Sequence, residues 1–160
     1  MHTLLRLEGT PPLPAIAATR EYVRALYDTW LGNPELSARV AMAAHELLEN
    51  VAKYASAEPR RLETEVVRRG ARECVRIWTT NAATSERIAM LQGILTELNE
   101  SADPFDTYVR FITRSSESSE ESCLGLARIR AEAGMTLECS VSGSEVTICA
   151  EAPLKSGADS

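Results

Sequence analysis

The sequence predicts an α/β two-layer sandwich of the α+β kind: a mainly antiparallel mixed sheet covered on one face by helices. Three observations carry that expectation. Strand-like apolar runs bounded by turn residues recur as two hairpins, 62–79 and 137–150. Segments with helical periodicity and one apolar stripe each lie around them. The resulting order is strand, two helices, hairpin, helices, hairpin, without internal repeat, which sets helices against a sheet built of hairpins. With 160 residues the chain has the size of one domain and can bury a core without staples. We assign that domain to residues 1–151 and read 152–160, with Pro153, Gly157 and two serines, as a disordered tail.

The elements follow in order. Thr3–Leu7 reads as a short strand, broken by Gly9-Thr10-Pro11-Pro12. From Pro14 to Trp30, Ile16, Tyr22, Val23, Leu26, Tyr27 and Trp30 recur at helical spacing. Gly32 is the C-terminal cap of that helix, Asn33 the N-cap of the next, and Pro34 its first residue. The second helix runs to about Ser56, and so short a connection packs the two antiparallel. Glu58-Pro59 closes the helical half. Leu62–Arg69 and Glu73–Thr79, around Gly70-Ala71, form the first hairpin, and Asn81–Thr84 is a loop.

Thr84 or Ser85 caps a helix with Ile88, Leu91, Ile94, Leu95 and Leu98 on one side. Asp103-Pro104 starts another, anchored by Tyr108, Val109, Phe111 and Ile112. Ser115–Ser122 has no apolar residue and reads as a mobile surface loop. A helix from Leu124 to Ala133 stops at Gly134, and Leu137–Val141 with Val146–Ala150 makes the second hairpin.

Net charge is −6, which argues against non-specific nucleic-acid binding. Arg60, Arg61, Arg68, Arg69, Arg72 and Arg76 gather near one sheet edge and read either as a local basic patch or as a solvated strand rim. Cys74, Cys123, Cys139 and Cys149 form no metal-ligand spacing with His2 and His45, and Cys139 and Cys149 read as small buried residues. There is no signal-peptide pattern and no apolar run long enough to span a bilayer, so the expectation is a cytoplasmic, reduced protein without membrane contact.

The stretch with chemical content is His45-Glu46-Leu47-Leu48-Glu49-Asn50-Val51-Ala52-Lys53-Tyr54. Val40, Ala44, Leu47, Leu48, Val51 and Ala55 form an apolar stripe, and Arg39, Glu46, Asn50 and Lys53 fall opposite it. Residues four apart sit one above the other on a helix, so the Glu46 carboxylate and Asn50 amide can share one space, with Lys53 a turn on. A proton acceptor, an amide oxygen for a hard cation and an ammonium for phosphate suit a magnesium-nucleotide site. On spacing alone a solvated helix face is the commoner outcome, with Glu49 and Lys53 an exposed ion pair.

This stretch resembles the N-box of the GHKL (Bergerat-fold) ATPases, which include histidine kinases, the gyrase B ATPase domain and anti-sigma-factor serine kinases. Leu124-Gly125-Leu126-Ala127-Arg128-Ile129 resembles that family's later glycine box. Both motifs stand in the order and spacing of a small anti-sigma-kinase-like member, and the resemblance spans about Leu4 to Ala150. It implies that Glu46 activates the attacking group, that Asn50 ligates magnesium bridging the phosphates, and that Lys53 approaches the phosphates. Leu124, Gly125 and Leu126 would offer backbone to phosphate at a helix N-terminus. The family's Asp-x-Gly-x-Gly adenine box corresponds to Trp78-Thr79-Thr80-Asn81-Ala82-Ala83, which has neither aspartate nor glycine. Asn81 stands there as a weaker acceptor for the adenine amine. Cys123 replaces a usual glycine, and the Ser115–Ser122 lid is acidic.

The resemblance supports two readings. In one, the chain is a signalling regulator of the anti-sigma-kinase type that binds Mg-ATP and phosphorylates or sequesters a partner. Its activity would be that of a serine/threonine kinase, and its partner a sigma factor or STAS-type antagonist. In the other, it is a pseudo-ATPase module that docks proteins without nucleotide. Tyr22, Tyr27 and Trp30 are candidate docking anchors, with at least two of the three expected in the core. A homodimer fits either reading. The discriminating feature is whether 79–83 closes over the adenine position or leaves a cleft beside Asn50.

Overall fold

The structure, a computed structural model, describes residues 2–9, 12–69, 72–117 and 124–154. It contains β1 (His2–Glu8), α1 (Leu13–Leu31), α2 (Pro34–Tyr54), β2 (Ala57–Arg69), β3 (Arg72–Ala82), α3 (Ser85–Glu100), α4 (Pro104–Glu117), α5 (Leu124–Ala131), β4 (Thr136–Ser142) and β5 (Glu145–Pro153). The strands form one sheet in the order β1-β2-β3-β5-β4, with every neighbouring pair antiparallel. Helices cover one face, so the two-layer sandwich stands.

Local chemistry explains the helix boundaries. Gly32 takes the left-handed conformation at φ 60°, which costs glycine no Cβ clash, and donates its N–H to Asp28 O at 2.9 Å. Asn33 Oδ1 accepts from the Leu36 N–H at 3.0 Å, and Pro34 opens α2. Thr84, rather than Ser85, caps α3 by accepting from the Arg87 N–H.

The register sorts the strands into two faces. Leu62, Thr64 and Val66 of β2 stand opposite Thr79, Ile77 and Val75 of β3, which in turn oppose Ile148, Ala150 and Ala152 of β5. This face packs on the helices and, with Val23, Tyr27, Val40, Leu47, Leu126 and Ile129, forms the core. Helix α2 is the centre of the helical layer, touching α1, α5 and the sheet.

Several expectations are corrected here. β2 begins at Ala57, because Pro59 falls in a register irregularity, where a missing N–H is tolerated. β3 runs to Ala82, so Asn81 is strand, not loop. β5 continues past 151: Ala152 is fully buried opposite Val75, and the Leu154 N–H bonds Glu73 O at 2.9 Å. Residues 155–160 lie outside the described residues. Helix α4 includes Ser115, whose hydroxyl donates to Phe111 O at 2.7 Å, while 118–123 lie outside the described residues. Of its expected anchors, Phe111 is buried and Tyr108 half-buried, but Val109 and Ile112 are exposed and line up with exposed Phe105. On α1, Tyr27 is buried but Tyr22 and Trp30 are exposed, so one of the three aromatics is core, not two.

Candidate functional site

The polar face of α2 is not a solvated one. Helix α5 packs across it, and Glu46 is only 8% exposed. Its Oε1 accepts from Arg128 Nη1 at 2.9 Å, and Arg128 Nε donates to Glu132 Oε2, also at 2.9 Å. Its hydrogen bond to the Glu132 carboxylate is the main reason the Arg128 guanidinium is held above even its usual high pKa, with Glu46 adding to it. Gly125 explains how the carboxylate comes so close. A Cβ at Gly125 would stand 2.5 Å from Glu46 Oε2 and 3.4 Å from Glu46 Cβ, so any larger residue would have to push the Glu46 carboxylate out of this position. This glycine serves a close approach, not an unusual backbone angle.

Around this pair lies a cleft of about 340 Å³, lined by Glu46, Glu49, Asn50, Lys53, Tyr108, Leu124, Gly125 and Arg128, with His45 at its side. Asn50 stands one turn beyond Glu46, and its Nδ2 is buried without a hydrogen-bond partner among the described residues. Lys53, more than half exposed, sits at the rim with Nζ 3.4 Å from Glu49 Oε2, and Glu49 Oε1 lies 3.4 Å from His45 Nε2. Tyr108 of α4 closes another wall. Burial, with the Glu132 carboxylate beside it, pushes its phenol pKa up, so the hydroxyl stays protonated and can donate.

The structure thus gathers Glu46, Asn50, Lys53, Leu124 and Gly125 into one cleft. It leaves out Leu126, which is fully buried in the core, and Asn81, which is 7% exposed on β3 and donates Nδ2 to Ala82 O at 3.1 Å. Arg39, expected on the same face, bonds Ala133 O and caps the end of α5. Residues 79–83 are built into the sheet, with Ala82 and Ala83 at 6% and 3% exposure and the Ala83 N–H on Ser144 O at 2.9 Å. Sequence reasoning missed Arg128 and Tyr108 as cleft residues. Arg128 was legible in part, since it stands four residues after Leu124 and so on the same side of α5.

The magnesium-nucleotide group can be tested against these residues. An amide end without a partner, an ammonium and a helix start suit a magnesium-bound polyphosphate, and the volume lies in the usual range for small-ligand sites. The purine end has no matching residues among those described: Asn81 is turned to its own strand and lines no part of the cleft. Among the described residues there is no cluster of three His, Cys, Asp or Glu that could hold a metal, and no helix long and apolar enough to cross a membrane. Burial pushes the Cys149 thiol up, as expected of an inert packing residue, and also raises that of Cys139, which is half-buried rather than buried; Cys123 lies outside the described residues.

Fold and cleft define a two-layer α+β protein with a carboxylate–amide–cation cleft between a central helix and the start of α5. No protein-family model matches the sequence, and no curated protein matches it. Among solved structures, a chain in the crystal structure of the SiaB-SiaC complex from Pseudomonas aeruginosa is similar, with a TM-score of 0.63 and 13% identity. The match covers 94% of this chain and 90% of that chain, so the two share a fold along nearly their whole length.

Proposed function

We propose that this chain is a signalling regulator of the anti-sigma-kinase type that binds the phosphate end of Mg-ATP in the Glu46–Asn50 cleft and acts on a protein partner. The observation that carries the reading is that Glu46 and Asn50 line one cleft against the start of α5, as the GHKL resemblance implies. The neighbour of like fold comes from a complex of two proteins, which is in keeping with a regulatory partner here. By the resemblance, that partner would be a sigma factor or a STAS-type antagonist. Exposed Tyr22 and Trp30 on α1 offer it anchors, or serve a homodimer. The setting would be cytoplasmic.

When bound, the magnesium nucleotide supplies the transferable phosphoryl group. The chain's own residues do the positioning. Asn50 offers its carboxamide to the metal, Lys53 meets phosphate charge at the rim, and the α5 backbone meets it at the helix start. Glu46 orients or deprotonates the partner's serine or threonine hydroxyl, with Arg128 holding the other side of the carboxylate. A second reading, the pseudo-ATPase docking module, is favoured by the burial of 79–83 and by the arginine already paired with Glu46.

Calorimetric titration with ATP, with and without magnesium, tests this directly. Magnesium-dependent binding lost in Asn50→Ala supports the kinase-type reading. The absence of binding in a folded protein removes it and leaves the docking module.

A further inference from the structure

A second pocket lies on the other side of the sheet, away from the Glu46 cleft. Its volume is about 310 Å³, and Glu65, Arg76, Trp78, Glu138, Ser140 and Thr147 line it. Alternation along β2 and β3 explains the set. Glu65 opposes Arg76 and Glu63 opposes Trp78, all on the face that the helices do not cover. Thr147 of β5 opposes both Thr80 and Ser140.

Glu65 is the anomaly. It is only 1% exposed, on the face of an antiparallel sheet where polar side chains are ordinarily hydrated. Arg76 Nη1 lies 3.2 Å from Glu65 Oε1, but Glu65 Oε2 is buried with no hydrogen-bond partner among the described residues. Buried carboxylate oxygens are nearly always paired, so this one calls for a donor. Arg76 reaches Glu65 only through Oε1: its Nε lies 3.2 Å from Glu151 Oε2 without a hydrogen bond among the described residues, and its charge is divided between two carboxylates. Glu138 adds a further negative charge at the exposed mouth. Trp78 forms an aromatic wall, held by donation from its Nε1 to Glu63 Oε2 at 3.1 Å, and its ring already faces the Arg76 guanidinium at 5.8 Å.

From this geometry we propose that the open face of the sheet carries a binding site for a guanidinium or alkylammonium group. Glu65 Oε2 accepts the innermost hydrogen bond, Glu138 supplies the second negative charge, and the Trp78 ring offers a cation–π wall. The pocket is large enough for such a head group and its stem. The cation can come from a free amine or from a basic side chain of another polypeptide, and the chemistry of recognition is the same. The site is independent of the Glu46 cleft and needs no nucleotide.

Trp78 reports on the site directly. In a Trp30→Phe background it is the only indole, and its emission is followed during titration with agmatine and with a short arginine-containing peptide, at constant ionic strength. The expected result is a saturable change at millimolar concentration, weakened at least tenfold in Glu65→Gln and in Glu138→Lys. Glu138 is exposed, so the second variant tests the site even if the first disturbs folding. Peptide binding tenfold tighter than agmatine identifies a protein source, and equal affinities identify a free amine. No saturable change in the folded protein, or unaltered binding in Glu138→Lys, overturns the proposal.

Discussion

The two faces of the sheet are held by different forces. On the covered face, Leu62, Val75, Ile77, Ala150 and Ala152 join the apolar side chains of the helical layer in one core, and stability comes from area removed from water. On the open face, Glu63, Glu65, Arg76, Trp78 and Glu151 are joined by ion pairs and one indole hydrogen bond. Apolar burial is non-directional and adds up over the whole layer. An ion-pair network is directional, and what each pair contributes depends on how far its members are withdrawn from solvent.

The largest effect is expected from the covered face. Ile77→Ala removes a fully buried side chain from the middle of β3 and should cost about 4 kcal/mol, read as a fall in the urea midpoint with an unchanged slope. A loss below about 1 kcal/mol would mean that the helical layer collapses into the gap and the core is looser than its packing implies.

Next comes the buried ion pair. Arg76→Ala strands Glu65 and should cost about 3 kcal/mol. The double change Glu65→Leu with Arg76→Met should recover most of that loss, since a packed apolar pair often replaces a buried ionic one without penalty. If the double variant is no better than the single, the network specifies the sheet face in a way that apolar contacts cannot.

Tyr27 sharpens the comparison through pH. Burial pushes its pKa from 10 to about 12. In the unfolded chain the phenol ionises near 10, whereas in the folded protein it stays neutral to about 12. The stabilisation is therefore complete below pH 10 and is lost as pH rises from about 10 to about 12. It amounts to about 2–3 kcal/mol at 1.36 kcal/mol per unit. Denaturation of wild type and Tyr27→Phe across that range should show the difference between them shrinking or reversing at high pH. A constant difference would exclude the phenol as the titrating group.

Much of the fold was legible because it rests on local signals. Gly32, Asn33-Pro34 and Thr84 fix helix ends through backbone hydrogen bonds that involve only near neighbours. The hairpins follow from their apolar patterning. The candidate cleft was legible only as far as α2 itself: spacing put Glu46, Asn50 and Lys53 on one side, but nothing in that helix indicated that α5 would bury Glu46. The same limit hid the partner of Glu46, since Arg128 lies 82 positions away in the chain. Asn81 was misread for a related reason, because the pairing that makes it strand comes from Val146 of β5. The exposed Val109 and Ile112 also looked like core, since periodicity shows that a helix has an apolar face but not whether anything covers it.

The smallest expected effect separates pairing from burial most cleanly. Arg68 and Glu73 face each other across β2 and β3 just as Glu65 and Arg76 do, with the same residue types on the same two strands. Arg68 Nε lies 2.9 Å from Glu73 Oε1, so the contact is at least as good by distance as the one at Glu65. The difference is exposure: the side chains of Arg68 and Glu73 are 75% and 36% accessible, against 23% and 1% for Arg76 and Glu65. Water screens the outer pair and leaves both groups solvated when it is broken. Arg68→Ala should therefore cost no more than about 0.5 kcal/mol, and less as salt is raised, in the same denaturation assay that reports about 3 kcal/mol for Arg76→Ala. Comparable losses at the two positions would mean that cross-strand pairing itself, and not withdrawal from solvent, sets the strength of these pairs.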